Sequence, residues 1–180
     1  MNKRIKFITE TAVCIAVLIV VQLSTRGMTQ LVTGSLVNAV LIVTALTAGL
    51  AGGICTAVIS PFLAFLLGIG PKFLTIVPVV AAGNLIIVLT VYAIINQFNM
   101  NYYIKWLLAV ILGAVLKFAA LYFGIVKLVL PLLSLPPQKA AAISASFGAV
   151  QAVTAVIGGI VACSIVTTLK KHGNKKYKSM

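Results

Sequence analysis

The chain has 180 residues, 62% of them hydrophobic, and sets 14 Lys plus Arg against one acid, Glu10. Charged residues make up 8% of it, against about 25% in a soluble domain, so it cannot clothe a water-exposed globule. A lone carboxylate also excludes carboxylate pairs, carboxylate-held Mg²⁺ and carboxylate proton relays, which disfavours most membrane enzymology.

A membrane-crossing helix takes about 20 mostly apolar residues. Gly, Pro and polar clusters divide the chain into six such stretches. The first, residues 5–25, is too long for a cleaved signal and lacks a small-residue cleavage pattern before Leu36, so it is expected to stay in the mature protein. It carries Ala12 and Ala16, four apart and therefore on one helix face, where small side chains admit another helix. Packing against the second or the last span explains that pair as readily. The connection STRGMTQLVTGS (24–35) brings Arg26, Gln30, Thr33 and Ser35 and reads as a lid or as an ordinary outer turn.

The second and third spans, 34–50 and 53–69, are short, and the Gly49 to Gly53 segment between them permits a tight hairpin. Merging them would leave five spans and put the termini on opposite sides; six is the preferred count. GIGPKFLTIVP (68–78), with Lys72, leads into the fourth span, 76–98, which contains Asn84. The fifth, 103–131, contains Lys117 and Tyr122. PLLSLPPQK (131–139), with Lys139, precedes the sixth, 139–169, which contains Gln151 and the close-contact pair Gly158-Gly159. Nothing outside the spans exceeds about a dozen residues. The expectation is one domain, 1–180: an all-α integral membrane protein with six transmembrane helices in a compact bundle.

Cys14, Cys55 and Cys163 fall in apolar runs without metal or redox spacing and read as buried small hydrophobes. His172 stands in a basic tail without Cys or acidic partners, so neither a metal site nor a cofactor is expected. Counting basic residues loop by loop gives Lys3, Arg4, Lys6, Lys105, Lys170, Lys171, Lys175, Lys176 and Lys178 on one side. Arg26, Lys72, Lys127 and Lys139 fall on the other. Both termini are therefore predicted to be cytoplasmic. The tail lysines invite a nucleic-acid reading, but juxtamembrane lysines beside anionic membrane lipid account for them, and no nucleic-acid partner is expected.

Polar side chains are expensive in hydrocarbon unless they face a protein interior or a wet cavity. Asn38 and Asn84 are predicted roughly 8–12 Å below the outer ends of their helices, and Lys117 and Gln151 roughly 20 Å. Four helices thus offer groups that could wall an outward-facing cavity. The alternative for the three amides is interhelical hydrogen-bond glue. For Lys117 it is snorkelling, or satisfaction by carbonyls and the Tyr122 hydroxyl. No acid lies within plausible reach of that ammonium.

The segments TGSLVNAVL (33–41), SPFLAFLLGIGP (60–71), VPVVAAGN (77–84) and KFAALY (117–122), in a chain of six short spans, resemble the S-components of energy-coupling factor (ECF) transporters across most of its length. The resemblance implies a vitamin-capturing subunit of a prokaryotic cell membrane, energised by two ATPase subunits through a membrane-embedded T-component, and no enzyme activity of its own. It implies that Ala12 and Ala16 contact the T-component. Substrate would sit near the outer face, and the subunit would topple in the membrane to deliver it.

Candidate substrate-binding residues are Arg26, Gln30, Asn38, Asn84, Lys117, Tyr122 and Gln151. Uncompensated Lys117 and Arg26 favour an anionic or acceptor-rich ligand, for which pantothenate suits the charge. Pyridoxine or hydroxymethylpyrimidine would suit the amides, with Phe73 or Tyr122 as aromatic wall, while cobalamin would need a wider mouth. A structural or assembly subunit without ligand, or a stand-alone facilitator, are the rival classes.

Overall fold

The computed structural model describes residues 3–69 and 73–178, with backbone alone for Lys3 and residues 172–178. Lys72, and the side chains of Lys3, His172, Lys175, Lys176 and Lys178, therefore lie outside the described set. The described residues are helical, without a strand: α1 (Lys3–Ser24), α2 (Gln30–Thr47), α3 (Gly49–Leu66), a 3₁₀ turn (Leu74–Ile76) entering α4 (Val77–Gln97), and α5 (Tyr102–Leu121). The last of these continues as a π-helix (Tyr122–Val129) into the single turn α6 (Leu130–Leu132), and α7 (Pro137–Phe147) and α8 (Ala149–Lys178) follow. They supply six stretches long and apolar enough to cross a membrane.

Local chemistry explains most of the boundaries. Ala48 N–H closes α2 on Thr44 O at 2.9 Å, and Gly49, at φ +87°, takes the left-handed conformation that lets α3 start at once. A Cβ on Gly53 would lie 2.7 Å from Ala45 Cβ, so α3 folds straight back along α2 and the five-span alternative fails. Asn101 caps α5 by accepting from Tyr103 N–H at 3.0 Å, and Pro78 opens α4 where its missing N–H costs nothing. The second span begins at Gln30, four residues before its predicted start.

The sixth span is not the continuous rod read from hydropathy. It breaks at Gly148 between α7 and α8, and Gln151 lies in the first turn of α8 rather than deep along one helix. Breaking the ladder frees carbonyls, and the Gln151 side chain serves one of them, donating from Nε2 to Ser146 O at 2.9 Å.

Gly52 of α3 lies against Phe7 and Thr11 of α1, and the Tyr102 hydroxyl at the start of α5 bonds Thr167 near the end of α8. The start of α1, the α2–α3 turn, the α4–α5 connection and the end of α8 therefore share one end of the bundle. Near that end Ile42, Ile87, Val91, Trp106, Val110 and Ala162 form one apolar core; Ile76, Leu121, Ile125, Ile143 and Phe147 form another toward the opposite end. On α4, α5 and across the α7–α8 break the polar residues fall between the two cores: Asn84 between Ile76 and Ile87, Lys117 between Ala114 and Leu121, Gln151 between Phe147 and Ala155. Helix α1 is peripheral, packing on α2 and α3 and exposing Ile8, Val13, Val17 and Val20 outward.

Candidate functional site

A cavity of about 730 Å³, mouth included, opens at the end of the bundle away from the termini. Its walls come from α1 (Gln22), α2 (Gln30, Thr33, Asn38), α3 (Ser60, Pro61, Phe65) and α4 (Val77, Val80, Asn84). Lys117 of α5, Phe147 and Gln151 complete them. Of the residues singled out from sequence, Gln30, Asn38, Asn84, Lys117 and Gln151 line it together.

Lys117 is 3% exposed, and its Nζ donates to Asn38 Oδ1 at 2.5 Å and to Asn84 Oδ1 at 2.7 Å. Each amide is fixed from its far side. Asn38 Nδ2 donates to Thr154 Oγ1 at 3.4 Å, and that hydroxyl donates to Gln151 O at 3.0 Å. Asn84 Nδ2 donates to Ala57 O at 3.4 Å. That carbonyl is free because Pro61, four residues on, has no N–H to return to it. Both asparagines therefore turn their oxygens toward the ammonium, which has three N–H donors and spends two.

Close backbone approach makes this convergence possible. A Cβ on Gly83 would lie 2.7 Å from Leu121 Cδ2, and one on Gly158 would lie 2.6 Å from both Asn38 Cβ and Ser35 O. Glycines beside Asn84 and opposite Asn38 thus let α4 meet α5 and α2 meet α8 at the depth of the polar cluster. The only acid, Glu10, pairs with Lys6 at 3.7 Å in the first helical turns of α1, so no carboxylate neutralises Lys117.

Two candidates lie elsewhere. Arg26 is exposed on the connection after α1, with its guanidinium beside Gly68 at the end of α3, outside the cavity wall. Tyr122 is half-buried in the π-helix, where it packs with Phe118 and Phe123 and lies beneath Lys127 Nζ at 5.5 Å from its ring centre. Phe73 packs with the apolar core at the end away from the termini, so the aromatic wall is Phe65 and Phe147 instead.

Sequence reasoning passed over Gln22 and Ser60 and used Thr33 only as part of a loop. Gln22 is 2% exposed and donates from Nε2 to Ser60 O at 3.1 Å and to Ser60 Oγ at 3.4 Å, while its Oε1 is buried without a partner. In sequence, a glutamine near the end of an apolar helix cannot be told from an interfacial residue. Ala12 and Ala16 are exposed, so packing within this chain does not cover their face. Cys55 is exposed as well, against the expectation of burial, whereas Cys14 and Cys163 are partly buried. Among the described residues no three His, Cys, Asp or Glu side chains gather as a metal site would need.

No curated protein and no solved structure matches the chain significantly. The family described as ECF transporter, substrate-specific component matches it over residues 6–170, nearly its whole length. With six spans and a polar-floored cavity at one end of the bundle, this chain belongs to the substrate-specific components of ECF transporters.

Proposed function

We propose that this subunit captures a vitamin or vitamin precursor bearing a carboxylate or comparable acceptor group at the extracellular face of a prokaryotic cell membrane. Pantothenate is the compound whose charge suits it best. Family membership makes it a transport subunit that works with a T-component and ATPases rather than an enzyme. In our reading two ATPases drive delivery through the T-component, which docks on the exposed Ala12 and Ala16 face as the subunit topples. The excess of basic residues at the terminal end supports cytoplasmic termini and hence an outward cavity.

The observation that carries the substrate class is the Lys117 ammonium. It is buried at the cavity wall without an acid, held by two amide oxygens and left with one donor to give. An anionic oxygen there gains a charge-assisted hydrogen bond and cancels a charge that is costly in hydrocarbon. Both ends of the Asn38 and Asn84 amides are committed to protein partners, which weighs against a pyridine or pyrimidine read directly by them. A cavity of about 730 Å³, mouth included, weighs against a corrin.

Calorimetric titration of the purified protein with pantothenate, pyridoxine and hydroxymethylpyrimidine tests the reading. Pantothenate should bind, and Lys117→Ala should weaken it at least about tenfold, the scale of a lost hydrogen bond to a charged group. Absence of binding by any of the three, together with higher thermal stability of Lys117→Met, would favour a structural subunit instead.

A further inference from the structure

We propose that the cavity has a second polar pole, the Gln22–Ser60 pair between α1 and α3, which receives a hydrogen-bond donor of the ligand, a hydroxyl or an N–H. The inference rests on the substrate reading above and adds to it. The ligand would be bifunctional, with an acceptor or anionic group at Lys117 and a donor at the other end.

The argument starts from an unbalanced inventory. Gln22 follows the apolar run Val17–Val21 of α1, yet it is buried at the cavity wall. Its Nε2 is spent on Ser60 O and Ser60 Oγ, and the carbonyl oxygen has no protein donor. A buried acceptor left unpaired is unfavourable and rare in native proteins. Placed at a ligand cavity, it is explained by a donor that arrives with the ligand. Ser60 Oγ beside it can donate or accept a hydrogen bond in the same contact.

The two poles are complementary in kind. Lys117 can only donate, whereas Gln22 Oε1 can only accept. They are also separated in depth, because Ala57, whose carbonyl holds Asn84, and Ser60 sit three residues apart on α3, roughly 4.5 Å along its axis. Since α3 runs from the terminal end toward the mouth, the Gln22 pole is the shallower one. An elongated ligand lies between them with its acceptor end down and its donor end toward the mouth. Pantothenate, with a carboxylate at one end and two hydroxyls at the other, has that form.

The test uses three probes on wild type, Gln22→Leu and Lys117→Met. They are pantothenate, panthenol, in which a hydroxymethyl replaces the carboxylate, and N-(3,3-dimethylbutanoyl)-β-alanine, which keeps the carboxylate and lacks both hydroxyls. Gln22→Leu should weaken pantothenate at least about tenfold and leave the dihydroxyl-free analogue within about twofold of its wild-type affinity. Lys117→Met should discriminate in the opposite sense, losing pantothenate while leaving panthenol little changed. Equal losses for pantothenate and the analogue in Gln22→Leu would show a packing role and overturn the proposal, as would unchanged pantothenate affinity. If Lys117→Met still loses pantothenate in that case, the substrate reading stands without the second pole. Failure of wild type to bind pantothenate would remove both.

Discussion

Pro61 of α3 and Asn84 of α4 are linked through one carbonyl: the proline cannot donate to Ala57 O, and Asn84 Nδ2 takes the vacant place at 3.4 Å. A defect in one helix thereby sets the orientation of an amide on the next, and that amide presents its oxygen to Lys117 at 2.7 Å. Pro61→Ala restores a helical N–H in competition with Asn84. The protein should keep its fold, and ligand affinity should fall several-fold, as read by titration of the purified variant beside wild type.

Removing the acceptors of the ammonium should cost more than removing an ordinary polar contact. Asn84→Ala and Asn38→Ala each delete a hydrogen bond to a charged group, worth about 1.5–3 kcal/mol. Each should lower the thermal unfolding midpoint. Addition of Lys117→Met to the double alanine variant should recover stability without recovering ligand binding, because no buried charge then remains to be satisfied.

Glycine at the helix crossings is a spatial requirement. Gly158→Val places a side chain where Asn38 Cβ and Ser35 O already stand 2.6 Å from the first added atom, and Gly83→Val does the same against Leu121 at 2.7 Å. Overpacking of this kind costs about 1–3 kcal/mol and should also pull the amides off Lys117. The control is Gly27→Ala. Gly27 has φ +85° with open space around it, so alanine there should cost only about 1 kcal/mol through backbone strain and leave affinity unchanged.

The buried and exposed faces of α1 should respond differently. Thr11 Oγ1 is buried without a partner beside Gly52, so Thr11→Val, nearly the same shape, should raise stability by about 1 kcal/mol. Ala12→Trp and Ala16→Trp project from the exposed side of the same helix and should abolish uptake by the assembled transporter while leaving affinity intact. Loss of affinity with normal assembly would reverse the assignment of the two faces.

The span count was legible because hydropathy and punctuation are local: Gly49, Pro78 and the apolar runs speak for themselves. The meeting of Asn38, Asn84 and Lys117 was legible only as placement in the same half of the predicted spans, since sequence spacing does not give the rotation of one helix against another. The break at Gly148 was not legible, because a single glycine between apolar stretches looks the same in a continuous helix as at a break, so Gln151 read as part of one long span rather than of the first turn of α8. The π-helix at Tyr122–Val129 likewise left no pattern to read, and it turns Tyr122 toward Phe123 and Lys127. Arg26 was grouped with the site by charge, and loop geometry sends it to Gly68.

The polar floor described above is assembled from five helices, joined in series by hydrogen bonds from α8 to α2, α5, α4 and α3. Occupancy and folding are accordingly linked. A nutrient at a hundred times its Kd adds about 2.7 kcal/mol to the native state and nothing to unassembled segments. Cells grown in abundance of that nutrient should accumulate more of this subunit from the same message, protected from proteolysis by its own cargo.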